Sequence, residues 1–252
     1  MEDLFSADAL RAALGDAAPS TLTVEDVTDS TNAAARRAFL DGLSEPALFA
    51  AAEQTAGRGR LGRQFHSPKG SGVYFSLFVP QSEPRSSLHV TCAAGVAVHR
   101  AIRDAVGVEV QIKWVNDLCY RDRKVCGILA EAPVLGDRTG LIIGVGINLR
   151  PVAFPPSLRA IAGDLGDTAC PRVELIAACV RELLTALSAP SDAWVSEHRA
   201  HSCTLGRSVR ILRDGAELAC GIAEDVRSDG ALLLRLSDGS LLPIVSGEVS
   251  VR

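Results

Sequence analysis

"AGRGRLGRQFHSPKGSG", residues 56–72, carries Arg58, Arg60, Arg63 and Lys69 and no acid, inside a chain of 252 residues whose formal net charge is -4. Two phosphate-binding patterns compete for this stretch, and each would dictate a different fold. Gly57, Gly59 and Gly62 fit G-x-G-x-x-G, in which a strand turns into a helix whose N-terminus receives a pyrophosphate. Pro68, Gly70 and Gly72 would break such a helix, and the first acid after the loop is Glu83. Gly57-x-x-x-x-Gly62 also approaches a P-loop, but Arg63-Gln64 stands where Lys-[Ser/Thr] would hold phosphate and magnesium. Neither a dinucleotide fold nor a P-loop fold follows. What remains is a local site for a small anion or a solvated charged turn.

Outward from the loop, the apolar pattern predicts strands on both sides, at 47–53 and 72–79. A strand at 24–27 leads into "DSTN", where Asp29, Ser30 or Thr31 can cap a helix over 33–41 that Gly42 ends. A long alanine-rich helix is expected at 88–106, closed by Gly107, followed by strands at 109–114, 124–131 and 141–148. Their apolar density predicts a sheet covered by helices. Residues 150–171, with four prolines, read as a loop holding one short helix. Pro171 then opens a helix over 173–187, and a last short helix spans 192–201. Beyond residue 203, Asp214-Gly215, Asp229-Gly230 and Asp238-Gly239 separate short runs at 208–212, 218–226, 231–236 and 240–245, the hairpin texture of a small β-barrel. The expected domains are therefore 1–203 and 204–252.

Hydrophobic content of 47% with 22% charged residues suits a globular chain large enough for a substantial core. The acidic N-terminus has no basic and apolar leader pattern, and no apolar run approaches a membrane span. Seven cysteines without a Cys-x-x-Cys pair read as free thiols of a reducing compartment. These features predict a cytoplasmic protein with no membrane partner. The spacing of His198, His201 and Cys203 would suit a metal, but a fourth ligand is lacking and a short helix accounts for both histidines. Cys119 and Cys126, flanking a predicted turn, read as small buried residues. His66 reads as a solvated loop histidine.

Four polar clusters fall at strand ends or in loops: Ser30-Thr31-Asn32, Gln54 to Arg63, "KWVNDL" from Lys113 with Lys124 behind it, and "GVGINL" ending in Asn148 and Leu149. Lys113, Asn116 and Asp117 offer a cation, an amide and a carboxylate, a set suited to a phosphate chain and its Mg²⁺. Taken alone, "WVND" is more simply a turn. Together, "DSTN", "EQTAGRGRLGR", "KWVNDL", "RKVCGILAE" and "GVGINL", followed by a small β domain ending "GEVSVR", resemble the biotin protein ligases in content, order and spacing from about Thr28 to Arg252.

The resemblance implies a class II synthetase-like α/β ligase domain of α+β type, a mixed sheet backed by helices, with a C-terminal SH3-like β-barrel. It implies that ATP and Mg²⁺ activate biotin to biotinyl-AMP with release of pyrophosphate, and that a lysine of a biotin carboxyl carrier protein then takes the biotin. Carried over by position, Ser30, Thr31, Asn32, Gln54, Arg58, Gly59 and Gly127 correspond to biotin contacts. Arg60 and Lys124 lie between biotin and phosphate. Arg63, Phe65, Lys113, Asn116, Asp117 and Asn148 fall on the ATP side, with Asp117 also a candidate Mg²⁺ ligand. Arg60, Lys113, Asp117 and Lys124 form the catalytic set, in which Asp117 could also take a proton from the acceptor lysine. The basic glycine loop would stay mobile until ligand orders it.

Several features depart from the family pattern. Phe65 replaces a common tryptophan, losing an indole donor. Val115 replaces the usual proline of KWPNDL and should loosen the turn before Asn116. No tryptophan lies between Asn148 and Trp194, which leaves Phe154 as the candidate for stacking on adenine. With 28 residues ahead of "DSTN", a winged helix-turn-helix does not fit, so no DNA binding is expected. A homodimer stays open. Two alternatives accompany this reading: lipoate or octanoate ligation on the same scaffold, and a non-catalytic sensor of biotin or biotinyl-AMP.

Overall fold

Alternation of side chains along the central strands sorts them between a thick apolar core and a face left for a site. The structure, a computed structural model, describes residues 4–213 and 215–251, so Asp214 and the terminal Arg252 lie outside the described residues. In chain order its elements are α1 (Ala7–Leu14), β1 (Thr21–Thr28), α2 (Thr31–Leu40), β2 (Ala47–Gln54), β3 (Gly72–Gln81) and α3 (Ser87–Val106). There follow β4 (Gln111–Lys113), β5 (Asp117–Tyr120), β6 (Arg123–Glu131), β7 (Val134–Leu135), β8 (Arg138–Asn148), α4 (Arg172–Ser188) and α5 (Val195–Ala200). The chain ends in β9 (Ser208–Arg213), β10 (Ala216–Val226), β11 (Leu232–Arg235), β12 (Leu241–Ile244) and β13 (Glu248–Val251).

The first eight strands form one mixed sheet in the order β1-β2-β3-β8-β6-β5-β4, with β7 added beside β8. The β1–β2 pair is parallel, and the remaining neighbours are antiparallel. One face of the sheet carries Val73, Phe75 and Leu77 of β3 and Ile143, Val145 and Ile147 of β8 into a core shared with α3 and α4. Burying each such side chain contributes about 1.5–3 kcal/mol, so this face holds the domain together. On the opposite face α2 covers only part of the sheet, through Phe39 packed on Phe49, Phe78 and Ile142. Further along the same strands the alternation places Ser76, Gly144, Gly146 and Asn148 on that uncovered side.

The C-terminal strands form an antiparallel sheet in the order β12-β11-β10-β9-β13. It docks through Trp114, whose indole N–H donates to the Gly230 carbonyl at 2.9 Å and whose main-chain N–H donates to Thr204 Oγ1 at 3.1 Å. Among the described residues no helix is long and apolar enough to cross a membrane.

Three local expectations change. Residues 150–171 contain turns but no helix among the described residues: after the turn that Pro155 and Pro156 open, the chain is drawn onto Lys124, whose N–H donates to Ile161 O at 2.8 Å and whose carbonyl accepts Gly163 N–H at 2.9 Å. β5 begins at Asp117, directly after the Trp114–Asn116 turn, and pairs back on β4 with Lys113 opposite Asp117. It then meets β6 across Arg121 and Asp122, both at positive φ, as a tight two-residue hairpin requires. α1 lacks a strong sequence pattern and is held by its packing on α4, with Leu10 and Leu14 buried.

Candidate active site

The basic loop leaves β2 and folds back on itself as a narrow hairpin. Gly59 N–H donates to Arg63 O at 2.8 Å, Phe65 N–H to Gly57 O at 2.9 Å, and Gln54 N–H to Ser67 O at 3.1 Å. A Cβ on Gly57 would come within 2.5 Å of the Phe65 carbonyl oxygen, so this glycine serves the hairpin's own closure. No helix opens directly after Gly62, since the next element is β3 and the next helix α3, in keeping with the exclusion of the dinucleotide pattern. At the tip Leu61 holds φ 55 and is exposed. The hairpin roofs a cavity of about 840 Å³ over the uncovered face of the sheet.

Two glycines of "GVGINL" explain the shape of the floor. A Cβ on Gly144 would stand 1.8 Å from Asn32 Oδ1, and one on Gly146 would stand 2.6 Å from the Phe65 ring. Gly127 of β6 leaves a similar gap, 3.1 Å from Phe65 and from Lys124 Nζ. The phenyl ring therefore lies across the sheet where two glycines admit it, edge-on to Tyr74 at 6.4 Å between centroids.

At one side of the cavity is a polar cluster. Gln54 Oε1 accepts from Thr31 N–H at 2.9 Å and Thr31 Oγ1 at 3.2 Å, while its Nε2 donates to Ser67 Oγ at 2.9 Å. Ser76 Oγ lies 2.8 Å from Thr31 Oγ1 and 2.6 Å from Asn32 Oδ1. Asn32 Nδ2 donates to Glu131 Oε2 at 2.8 Å. Ser67, Ser76 and Glu131 were not singled out by the sequence. A serine inside the apolar run of β3 was the available signal, since a polar group buried there needs a partner.

The charged side lies opposite. Six cations line the cavity (Arg58, Arg60, Arg63, Lys113, Lys124 and Arg207) against three acids, Asp117, Asp122 and Glu248. An acidic chain thus concentrates positive charge at this one place. Lys124 Nζ pairs with Asp117 Oδ1 at 2.6 Å and lies 5.9 Å from the centre of the Phe65 ring. Arg60 is half-buried, not the exposed loop residue that its position suggests, and burial lowers its pKa from the ordinary value although nearby Asp117 opposes this. Its one side-chain hydrogen bond among the described residues goes to Asn116 Oδ1 at 3.3 Å, and no carboxylate pairs with it. Arg63 instead reaches out of the loop to Glu248 of β13 at 2.6 Å.

In the Lys113–Asp117 turn, Val115 is buried. Asn116 grips β6 from both ends, donating Nδ2 to Ile128 O at 3.1 Å and accepting Ile128 N–H at 2.9 Å. Asn148 is buried and donates to Gly163 O at 2.8 Å, pinning the segment whose Leu158 and Ile161 form a cavity wall. His66 is half-buried, with its ring 6.3 Å from that of Phe154, and both line the cavity. Cys119 and Cys126 are buried as expected. His198, His201 and Cys203 do not converge on a common point among the described residues.

The Biotin/lipoate A/B protein ligase family matches residues 24–148, and the Biotin protein ligase C terminal domain matches residues 204–252. The chain is 38% identical over 157 residues to the Bifunctional ligase/repressor BirA of Bacillus subtilis, a match covering 61% of this chain and 48% of that protein. It thus spans about half the length of that relative. It is 33% identical over 227 residues to the Biotin--[acetyl-CoA-carboxylase] ligase of Paracoccus denitrificans, covering 82% of this chain and 91% of the other. The fold superimposes on the biotin protein ligase of Aquifex aeolicus, solved in complex with biotin and ATP, with a TM-score of 0.77, 26% identity and coverage of 92% and 99%.

Proposed function

We propose, from the premise that this chain belongs to the biotin protein ligase family, that it joins biotin to a lysine of a biotin carboxyl carrier protein at the expense of ATP. The observation that carries the proposal is Arg60, a half-buried guanidinium without a carboxylate partner among the described residues, beside Lys113 and Lys124 in one cavity. The charge of nearby Asp117 offsets that desolvation only in part, and an arriving anion would complete it. A pure receptor for biotin would need far less positive charge.

In the first step a biotin carboxylate oxygen attacks the α-phosphorus of ATP, the bond to the β-phosphate bridge breaks, and pyrophosphate leaves. In the second, the acceptor lysine nitrogen attacks the acyl carbon, the acyl–oxygen bond breaks, AMP leaves, and the ammonium sheds a proton. No protein nucleophile is needed. The residues position the reactants and offset the charge that builds on phosphate and carboxyl oxygens. Thr31 and Gln54 fit the uncharged head of biotin, with Ser30 and Arg58 beside them and Asn32, Gly59 and Gly127 shaping that side. Lys124 and Arg60 fit the carboxyl–phosphate junction. Lys113 and Asn116 fit the phosphates, and Phe154 with His66 fits the adenine side, where Asn148 holds the wall. Asp117 orients Lys124.

Magnesium fits as a companion of ATP. No three acids converge in this cavity among the described residues, so the ion would take most of its ligands from phosphate and water, with Asp117 as a single protein carboxylate. The same reading divides the chain into a ligase domain at 1–203 and an SH3-like domain at 204–252.

The test is pyrophosphate release with ATP and Mg²⁺ in the presence of biotin, octanoate or lipoate, followed by addition of a biotin carboxyl carrier domain. Release that depends on biotin, then a carrier mass gain of one biotinyl group, is the expected result. Release with octanoate or lipoate alone would move the protein to lipoate-type ligation. Biotin binding without release would make it a sensor.

A further inference from the structure

Behind β4, away from the ligand cavity, α3 and α5 bring together His99, Glu197 and His201, whose potential ligand atoms all lie within 4.8 Å of one another. His99 has 0% of its side chain exposed. Its Nδ1 lies 2.9 Å from the Val110 carbonyl oxygen, which can only accept, so Nδ1 carries the hydrogen and Nε2 keeps its lone pair. That buried Nε2 has no hydrogen-bond partner among the described residues. A histidine whose second nitrogen is fixed by a backbone carbonyl is oriented as metal ligands are.

The other members face the same point. Glu197, in the first turn of α5, and His201, its C-cap, stand four residues apart and are joined by His201 N–H donating to Glu197 O at 3.1 Å, a spacing that places two side chains on one face. The His99 and His201 ring centroids are 4.2 Å apart. Glu197 is held by Arg100 through Oε2, which leaves Oε1 for an ion. Glu109 Oε2, 3.9 Å from His99 Nε2, stands near as a fourth ligand atom.

We infer that His99, Glu197 and His201 form a structural site for a divalent transition ion, zinc foremost, which two imidazoles and a carboxylate suit. Ligand atoms around tetrahedral zinc sit roughly 3.3 Å apart, so modest side-chain movement would close the site. The ion would brace β4: Ile112 N–H donates to His201 O at 2.8 Å and Ile112 O accepts from Cys203 N–H at 3.0 Å, next to Lys113 in the cavity. Sequence spacing pointed to the neighbouring His198 and Cys203, because His99 lies about a hundred residues upstream and only the fold brings it in.

The experiment uses the full chain, stripped with chelator and titrated with Zn²⁺ against a chromophoric competitor, and loaded separately with Co²⁺ for its visible spectrum. One equivalent should bind, with a cobalt spectrum lacking thiolate charge transfer and with the His99 and His201 ring resonances shifted in the zinc form. His201→Gln should weaken binding by more than the roughly ten- to hundred-fold lost with an outer-shell partner, while Cys203→Ser should leave it unchanged. Absence of stoichiometric binding, a thiolate band, or equal affinity in His201→Gln would overturn the inference. If His201→Gln does not fold, the wild-type cobalt spectrum and histidine resonances decide alone.

Discussion

Arg63 of the basic hairpin and Glu248 of β13 form an ion pair at 2.6 Å that ties the roof of the cavity to the C-terminal domain. The side chains are 68% and 33% exposed, so the pair contributes little to global stability, at most about 1 kcal/mol. Its effect should fall on the loop. Glu248→Gln is expected to leave the melting temperature nearly unchanged and to speed loss of the bound adenylate several-fold, measured by chasing labelled biotinyl-AMP. A dissociation rate equal to wild type would show that the strap does not hold the roof.

Arg60 should behave in the opposite way. Its guanidinium is half-buried with no carboxylate hydrogen-bonded to it among the described residues, and the charges of Asp117 and Glu248 offset that burial only in part, so Arg60→Ala removes a desolvation cost and is expected to keep or slightly raise the melting temperature. Biotin-dependent pyrophosphate release should fall by about 10²–10³, the cost of losing one preorganised charge-stabilising donor. Arg60→Lys should recover only part of this, because the ammonium lacks the planar fork. A well-folded Arg60→Ala enzyme with wild-type rate would remove Arg60 from the chemistry.

The strands around the basic loop, the long α3 and the small β domain were legible because periodicity and turn residues report backbone conformation locally. The gathering of Arg60, Lys113 and Lys124 into one cavity was legible only through the resemblance, since no local pattern encodes which strands become neighbours. What the sequence concealed are reciprocal fits between distant residues. Nothing near Gly146 announces that its missing side chain is Phe65, and nothing near Glu248 announces Arg63. β5 was hidden for a different reason: its four residues begin inside a turn motif, and cross-strand pairing with β4 and β6 decides their state.

The Phe65–Gly146 fit makes a double-mutant prediction. A Cβ on Gly146 would meet the ring at 2.6 Å, so Gly146→Ala must push Phe65 off the floor at a cost of about 1–3 kcal/mol. Phe65→Leu frees that space. In denaturant titrations the double variant should be more stable than the sum of the single effects predicts, by at least ~0.5 kcal/mol. Strict additivity would mean that the ring does not rest there.

His198 sets a pH dependence of stability separate from the active site. The ring is fully buried, edge-on to Trp194 at 5.5 Å, and neither nitrogen has a hydrogen-bond partner among the described residues. Burial, with the charge of Arg199 adding to it, pulls its pKa down to about 4 from the ordinary 6.5. The unfolded chain therefore binds a proton at a pH where the folded one refuses it. This contribution to stability is intact above pH 6.5 and is lost as pH falls towards 4, reaching about 3 kcal/mol. His99, also depressed by burial, acts in the same direction, so the wild-type curve alone cannot separate the two. His198→Phe keeps a ring against Trp194 and removes the titration. With chelator present to exclude metal, the stability difference between His198→Phe and wild type should be constant above pH 6.5 and should move steadily in favour of the variant between pH 6.5 and 4. Parallel curves across that range would mean that His198 is solvated or hydrogen-bonded in the folded protein.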